Sequence, residues 1–176
     1  MKTTGIIRRI DELGRIVIPK EIRKNLRIKD GENLEICIED KNIILRKYSL
    51  MKKIDDLGQS FTDTIYAYLK KDVMITNRDK VIAISGNLKK EYLNKDISEE
   101  MDECINRRES ILEKYPKKIE IIDGVKVEGT YALSTVSVNG DSAGLVIVFD
   151  KENNIDEVDY KVIQIVANFL SKYLEE

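Results

Sequence analysis

The first fifty residues consist of short strand-like segments separated by turns, and this limits what they can fold into. Segments 5–10 and 14–18 flank a polar turn, as do segments 34–38 and 42–47. Between the two pairs, a proline suited to the first turn of a helix begins a helix that we predict over about residues 19–27. This β-β-α-β-β unit would bury about a dozen side chains, too few for a stable core of its own. We therefore predict that two copies of the chain share one core.

The predicted helix is strongly basic on one side. At about 100° per residue, its four cations share one sector of the helical wheel: Lys20, Arg23, Lys24 and Arg27. Ile22 and Leu26 lie on the opposite side and are predicted to anchor the helix. Like charges at i,i+4 cost about 0.2–0.5 kcal/mol per pair, which favours a polyanionic ligand that offsets this repulsion. Arg8, Arg9 and Arg15 lie on the adjacent predicted hairpin and would extend the same surface. The alternative is an ordinary solvated face.

The charge of the whole chain is unevenly distributed, which supports the polyanion hypothesis. Residues 1–53 carry 14 Lys and Arg against 8 Asp and Glu, a balance of +6. The remaining residues carry 16 basic and 24 acidic side chains, a balance of −8. Such asymmetry is typical of a polyanion-binding module joined to a domain with a different role.

The rest of the chain follows the pattern of an α+β domain in which helices flank an antiparallel sheet. The predicted elements are, in order, a connecting amphipathic helix (52–70), strands at 72–77 and 80–85, a charged helix (95–113), two strands within 118–138, a buried strand (142–150) and a final helix (155–174). Asn139-Gly140 is a strong hairpin signal, and Asn153 or Asn154 is predicted to cap the final helix. The first and last of these helices have apolar stripes wide enough to pack on each other and on a partner chain.

Several absences narrow the chemistry that the chain can carry. It has no histidine, which excludes His-based triads and most zinc or iron sites. Cys37 and Cys104 are far apart and in no metal-binding or redox spacing, so both are predicted to be small hydrophobic residues. No apolar run approaches the ~20 residues that span a bilayer, and the start of the chain lacks the apolar segment of a signal peptide. We therefore expect a cytoplasmic protein with no catalytic residue, no metal and no cofactor.

One long motif resembles a known family. Residues 5–48 read GIIRRIDELGRIVIPKEIRKNLRIKDGENLEICIEDKNIILRKY, and residues 5–50 resemble the DNA-binding domain of the AbrB family of bacterial transition-state regulators. The resemblance implies a swapped-hairpin fold, in which two chains interleave their hairpins into one dimeric β-barrel. It also implies that arginines of this surface contact duplex DNA. The matching positions in this sequence are Arg8, Arg15 and Arg23, with neighbouring cations at Arg9 and Lys24 and secondary candidates at Lys20 and Arg27.

The second part of the chain resembles the GAF-type regulatory domain found in one branch of this family. The likeness lies in its length, in the order of its elements and in the stretch SGNLKKEYLNKDIS at 85–98. The predicted fold class is therefore α+β, with a swapped-hairpin domain (1–50), a connecting helix (51–70) and a GAF-like domain (71–176). The resemblance implies a regulator of sporulation genes, acting as activator and repressor on the nucleoid of the forespore.

The expected partners are duplex DNA and further copies of the chain. Promoter regions rich in A·T pairs are the expected sites, because DNA shape and flexibility would supply much of the selectivity. Copies are expected to form a dimer through residues 1–50 and a tetramer through the GAF-like domain, which would also offer a site for an unidentified small ligand. Two alternatives remain open: an antitoxin built on the same swapped hairpin, and a ligand-converting enzyme with a DNA-binding arm.

Overall fold

The chain divides into two units, one ending at Tyr48 and the other beginning at Ser49. The computed structural model describes residues 5–49, 51, 54–152 and 155–175. Over these ranges, no helix is both long enough and apolar enough to cross a membrane. Each unit forms its own secondary structure.

The first unit contains one short helix and one hairpin. Helix α1 spans Lys20–Asn25, and strands β1 (Leu34–Glu39) and β2 (Asn42–Lys47) pair antiparallel, in agreement with the second predicted hairpin. The helix is shorter than the predicted 19–27 because Arg27 adopts a φ of 51°, in the left-handed region that ends helices. The placement of Arg27 in the helical sector was therefore wrong, although Lys20, Arg23 and Lys24 remain on α1.

The β1–β2 hairpin has one apolar face that a single chain leaves open. The register places Ile36 opposite Leu45 and Ile38 opposite Ile43, so all four side chains point to the same side. All four are exposed to solvent, as is Leu26, which was predicted to anchor α1. An apolar face of this kind needs cover from another element to be stable.

The first predicted hairpin does not form as a pair of strands. Segments 5–10 and 14–18 have no strand pairing within the described part of the chain, so this prediction is wrong for a single copy. The turn between them is nevertheless closed: the Gly14 N–H donates to the Asp11 carbonyl (2.9 Å), and the Asp11 N–H donates to the Arg15 carbonyl (3.1 Å). A two-stranded hairpin without a covered face is at best marginally stable; here only the turn is closed, whereas the equally uncovered β1–β2 hairpin has its full ladder.

The second unit is a five-stranded antiparallel sheet flanked by helices. Its elements are α2 (Asp55–Leu69), β3 (Asp72–Thr76), β4 (Val81–Ser85), α3 (Lys89–Tyr92), α4 (Glu99–Arg107), β5 (Ser110–Ile122), β6 (Val125–Val138), β7 (Asp141–Asp150) and α5 (Glu157–Glu175). The strand order is β4-β3-β7-β6-β5. The predicted α+β architecture is confirmed.

Alternating side chains of the sheet form two separate cores. Val73, Ile75 and Val146 point to the side that α2 and α5 cover, whereas Met74 and Ile147 point to the side that α3 and α4 cover. All five are fully buried. Because β7 is buried on both faces, its sequence reads as a nearly continuous hydrophobic run, AGLVIVF.

Two local predictions in this unit need correction. The predicted helix over 95–113 is too long, because α4 ends at Arg107 and β5 begins at Ser110. The Asn153 and Asn154 caps lie outside the described residues, and the observed cap of α5 is Asp156, whose carboxylate accepts from the N–H groups of Val158 (2.7 Å) and Asp159 (3.1 Å).

Helix α5 is apolar on two sides. The stripe predicted from the sequence consists of Val158, Val162, Ile165, Val166, Phe169 and Tyr173. Most of it faces outward, with Val158, Ile165, Phe169 and Tyr173 exposed, whereas the side packed on the sheet consists of Ile163, Val166, Ala167, Leu170 and Leu174. The helix therefore has one buried stripe and one open stripe.

Candidate nucleic-acid interface

The seven predicted DNA-contacting cations all lie in the first unit, and most extend into solvent. Arg8, Arg9 and Arg15 belong to the segment 5–18, and all three are exposed. Lys20 and Lys24 are exposed on α1, Arg27 is exposed just beyond it, and Arg23 is half-buried. The first unit thus presents a cationic surface that is accessible to a polyanion.

Arg15 is held by a carboxylate four residues away. Its Nε donates to Asp11 Oδ2 at 2.7 Å, and its backbone N–H donates to Asp11 Oδ1 at 2.8 Å. These contacts with Arg15 favour the ionised carboxylate and hold the pKa of Asp11 below its ordinary value of 3.8. Gly14, at the tip of the turn, has a φ of 76°, a conformation that a side chain would strain.

Arg23 is held differently. Its Nη1 donates to Asp30 Oδ1 at 2.6 Å, and the Asp30 side chain is almost fully exposed. The Arg23 Nε is buried and has no hydrogen-bond partner. Because Asp30 is so exposed, a phosphate can compete with it for the guanidinium at little cost in desolvation.

The first unit lacks a core of its own. Pro19 is the one buried residue among residues 5–49. Large apolar side chains are exposed on all its segments: Ile6, Ile7, Ile10, Leu13, Ile16, Val17, Leu26, Ile36, Ile38, Ile43 and Leu45. Monomeric proteins rarely expose so much apolar surface, and large exposed apolar patches are typical of interaction surfaces.

The second unit has two buried cores and a polar cavity. On the side of the sheet that α3 and α4 cover, large side chains such as Met74, Tyr92 and Phe149 are fully buried. A cavity of about 370 Å³ lies between the N-terminal end of α4 and the β5–β6 hairpin, and seven of its eight lining residues are polar or charged. Small-molecule pockets are usually mostly apolar, so this cavity has a different character.

Nothing in the described residues forms a metal or thiol centre. Over residues 5–49, 51, 54–152 and 155–175, there is no group of three or more Cys, Asp or Glu side chains placed to hold a metal ion. Burial raises the pKa of the Cys104 thiol to about 12, so the thiol stays protonated near neutral pH. Cys104 is a core residue, as predicted from its sequence neighbours.

Sequence reasoning missed the acids that pair with the candidate arginines. The Asp11–Arg15 spacing could have suggested an ion pair, but only with the turn geometry known. Asp30 lies seven residues from Arg23 and meets it because the chain reverses at Arg27. No local spacing rule predicts that contact.

Family models match both units. The model described as stage V sporulation protein T C-terminal, transcription factor, matches residues 53–175. The model described as antidote-toxin recognition MazE, bacterial antitoxin, matches residues 7–53.

Two curated relatives from Bacillus subtilis (strain 168) are similar to different lengths of the chain. Stage V sporulation protein T is 42% identical over 178 residues, covering 100% of both chains. Transition state regulatory protein AbrB is 56% identical over 48 residues, covering 27% of this chain and 50% of its own.

Solved structures match the second unit in fold. A type II free methionine-R-sulfoxide reductase from Thermoplasma acidophilum has a TM-score of 0.54 at 12% identity, covering 72% of this chain and 95% of the reductase. The GAF domain of A. aeolicus nlh2 has a TM-score of 0.54 at 13% identity, covering 74% and 87% of the two chains. At such identities the likeness shows the fold alone.

Together, these similarities define a two-domain protein in which an AbrB-like domain precedes a GAF-like domain. The fold class expected from the sequence is confirmed. The chain belongs to the stage V sporulation protein T family of transcription factors.

Proposed function

We propose that this protein regulates sporulation genes by binding duplex DNA through the cationic surface of its first unit. The proposal rests mainly on one observation: seven Lys and Arg side chains of this unit lie on segment 5–18 or on and just after α1, and six of them are exposed. Similarity to stage V sporulation protein T and to AbrB supports it. The proposed place of action is the nucleoid of the developing spore, at promoters that are activated or repressed.

The proposed binding unit is a swapped-hairpin dimer. A second copy would cover the open face of the β1–β2 hairpin and supply strand partners for segments 5–10 and 14–18. The exposed apolar side chains of residues 5–48 support this, because burying each in a shared core contributes about 1.5–3 kcal/mol. The two-fold axis would double every cation that faces DNA.

The mechanism is mainly neutralisation of phosphates, with limited reading of bases. Each phosphate contact adds about −0.9 to the slope of log K against log salt. Sequence-dependent shape and flexibility would then favour A·T-rich sites. Lys24, which offers a point charge rather than a forked donor, suits a phosphate better than a base edge.

The GAF-like unit is proposed to join dimers into tetramers. Phe61 on α2 and Phe169 on α5 lie 5.3 Å apart between ring centroids, and Tyr173 continues the open stripe of α5. This stripe is continuous enough to pack against the same stripe of another copy. The open stripe of α5 supports assembly as a role of this unit, and an unidentified small ligand remains a second proposed role.

The two alternative functions, an antitoxin and a ligand-converting enzyme, fit these observations less well. An antitoxin is favoured by the MazE match over residues 7–53, but a folded second unit occupies the region where such proteins usually carry a disordered tail. A ligand-converting enzyme is disfavoured because the chain has no histidine and because Cys104 is buried with a raised thiol pKa. Family membership favours the regulator over both.

Salt-dependent DNA binding tests the proposed function. Arg8→Ala and Arg23→Ala should each weaken binding of the full-length protein to an A·T-rich duplex and lower the salt slope by about 1.8 per dimer. Lys117→Ala, an exposed cation in the second unit, is the matched control and should leave the slope unchanged. Binding that is insensitive to salt, or unchanged in both arginine variants, would rule the proposal out.

A further inference from the structure

One carboxylate organises the turn that carries Arg15. Asp11 Oδ1 accepts hydrogen bonds from the N–H groups of Leu13 (3.0 Å) and Arg15 (2.8 Å). Asp11 Oδ2 accepts from Arg15 Nε at 2.7 Å. Oδ1 therefore closes the turn through backbone hydrogen bonds, whereas Oδ2 fixes the direction of the Arg15 guanidinium.

Contact through Nε leaves the outer edge of the Arg15 guanidinium free. In the part of the chain that the structure describes, Nη1 and Nη2 of Arg15 have no hydrogen-bond partner, and the side chain is 72% exposed. These two nitrogens form a planar fork that matches a pair of acceptors on DNA. Arg23 differs, because Asp30 accepts from its terminal Nη1 and so occupies part of its fork.

We propose that Asp11 is a positioning residue for DNA binding, which holds Arg15 so that Nη1 and Nη2 meet two acceptors of the duplex. This inference rests on the proposed function. The paired acceptors are either O6 and N7 of a guanine in the major groove or two oxygens of a phosphate. An arginine that is already held loses less conformational freedom when it binds, which is the source of the gain in affinity.

This proposal and simple charge repulsion predict opposite effects on DNA affinity when the charge of Asp11 is removed. Asp11 is an anion on a surface that meets a polyanion, so its removal alone should strengthen binding. Asp11→Asn keeps an acceptor for the turn but replaces the second oxygen with a donor, which cannot accept from Arg15 Nε. We therefore expect Asp11→Asn to bind about three- to tenfold more weakly than the natural protein.

Glu12 provides a matched control. It lies in the same turn, is exposed, and its side chain makes no hydrogen bond in the part of the chain that the structure describes. Glu12→Gln removes the same charge from the same surface without affecting Arg15. Its affinity for DNA should be unchanged or slightly higher.

The experiment measures binding of the full-length protein to a labelled duplex selected from a random library by the same protein. Asp11→Asn, Arg15→Ala, the double variant and Glu12→Gln are compared over a range of salt concentrations, with thermal unfolding as the check on folding. The expected result is a loss in Asp11→Asn that disappears in the Arg15→Ala background, because the two residues act as one unit. A duplex with 7-deazaguanine, which lacks N7, identifies the acceptor. If Asp11→Asn no longer weakens binding to this duplex, the acceptor is guanine. If Asp11→Asn still weakens binding and also has a smaller salt slope, the acceptor is phosphate.

The outcomes separate this inference from the proposed function. Asp11→Asn binding as tightly as the natural protein, while Arg15→Ala binds weakly, overturns the positioning role alone. An equal loss from Asp11→Asn with and without Arg15 assigns Asp11 a purely structural role and overturns it as well. Normal binding by the Arg8, Arg15 and Arg23 alanine variants would instead remove the proposed DNA-binding surface.

Discussion

Replacement of Ile38 by alanine tests most directly whether two copies share the core of the first unit. In the single chain this side chain is 79% exposed, on the open apolar face of the β1–β2 hairpin. If the first unit acts alone, the change should alter its free energy of unfolding by no more than about 0.5 kcal/mol, as at other surface positions. If a second copy buries this face, each Ile→Ala change costs about 2–5 kcal/mol, or about 4–10 kcal/mol per dimer.

Amide hydrogen exchange over residues 34–47 in the full-length protein measures this difference, and sedimentation equilibrium measures assembly. Even about 4 kcal/mol corresponds to nearly a thousandfold change in an equilibrium constant, so the loss of protection should be large. Tyr115→Ala is the control, since Tyr115 is 78% exposed on β5, outside the first unit. Equal protection in the Ile38 variant and the natural protein would refute the shared core.

Three further predictions concern buried or paired ionisable groups. Asp159→Asn should lower the free energy of unfolding of the second unit by about 3–5 kcal/mol in denaturant titrations, because it breaks a buried 2.6 Å ion pair with Lys71. The pKa of the Asp11 carboxyl, measured by NMR, should lie below 3.8 in the natural protein and closer to that value in Arg15→Gln. Because folding lowers this pKa, the ionised carboxylate stabilises the folded state above the ordinary pKa, and this stabilisation is lost as the pH falls through the folded-state pKa. Cys104, with a thiol pKa of about 12, should resist alkylation near neutral pH until denaturant exposes it, and rapid labelling of the native protein would contradict its burial.

Strand and turn patterns predicted much of the second unit because the signals are local. Asn139 and Gly140 both have positive φ, 49° and 87°, which is the backbone of the tight hairpin turn that this dipeptide favours. The end of α4 carried no such signal. Arg108 adopts φ of 56° there without being glycine or asparagine, so the sequence reads as helix through to Leu112. Leu112 is instead on β5, packed on the core beneath α2 and α5.

The candidate site was predictable in composition but not in geometry. Charge balance and helical spacing were enough to identify the candidate cations, because both signals depend only on residue type and on short separations along the chain. The carboxylates that hold Arg15 and Arg23 depend on where the chain turns, and the turn at Arg27 has no glycine to mark it. The sequence likewise did not separate the inner and outer stripes of α5, since both are apolar and only packing against the sheet distinguishes them.

The two open apolar surfaces of this protein imply two different kinds of association. Among residues 5–49 only Pro19 is buried, so in the proposed dimer the first unit would gain its core from a second copy, and dissociation would also be its unfolding. The second unit already has two buried cores, so association through the open stripe of α5 adds stability to a domain that is folded without it.

This difference predicts that the proposed tetramers can be split into dimers without loss of DNA binding. Ile165→Asp places a charge on the open stripe, where burial against another copy would leave it unpaired, so sedimentation should show dimers in place of tetramers. Asn168→Asp adds the same charge at an exposed neighbouring position of α5 and should leave the tetramer intact. The Ile165 variant should bind a single DNA site with an unchanged salt slope, because the cations of the first unit are untouched. Monomers in this variant, or a loss of single-site binding, would show that the two associations are not separable.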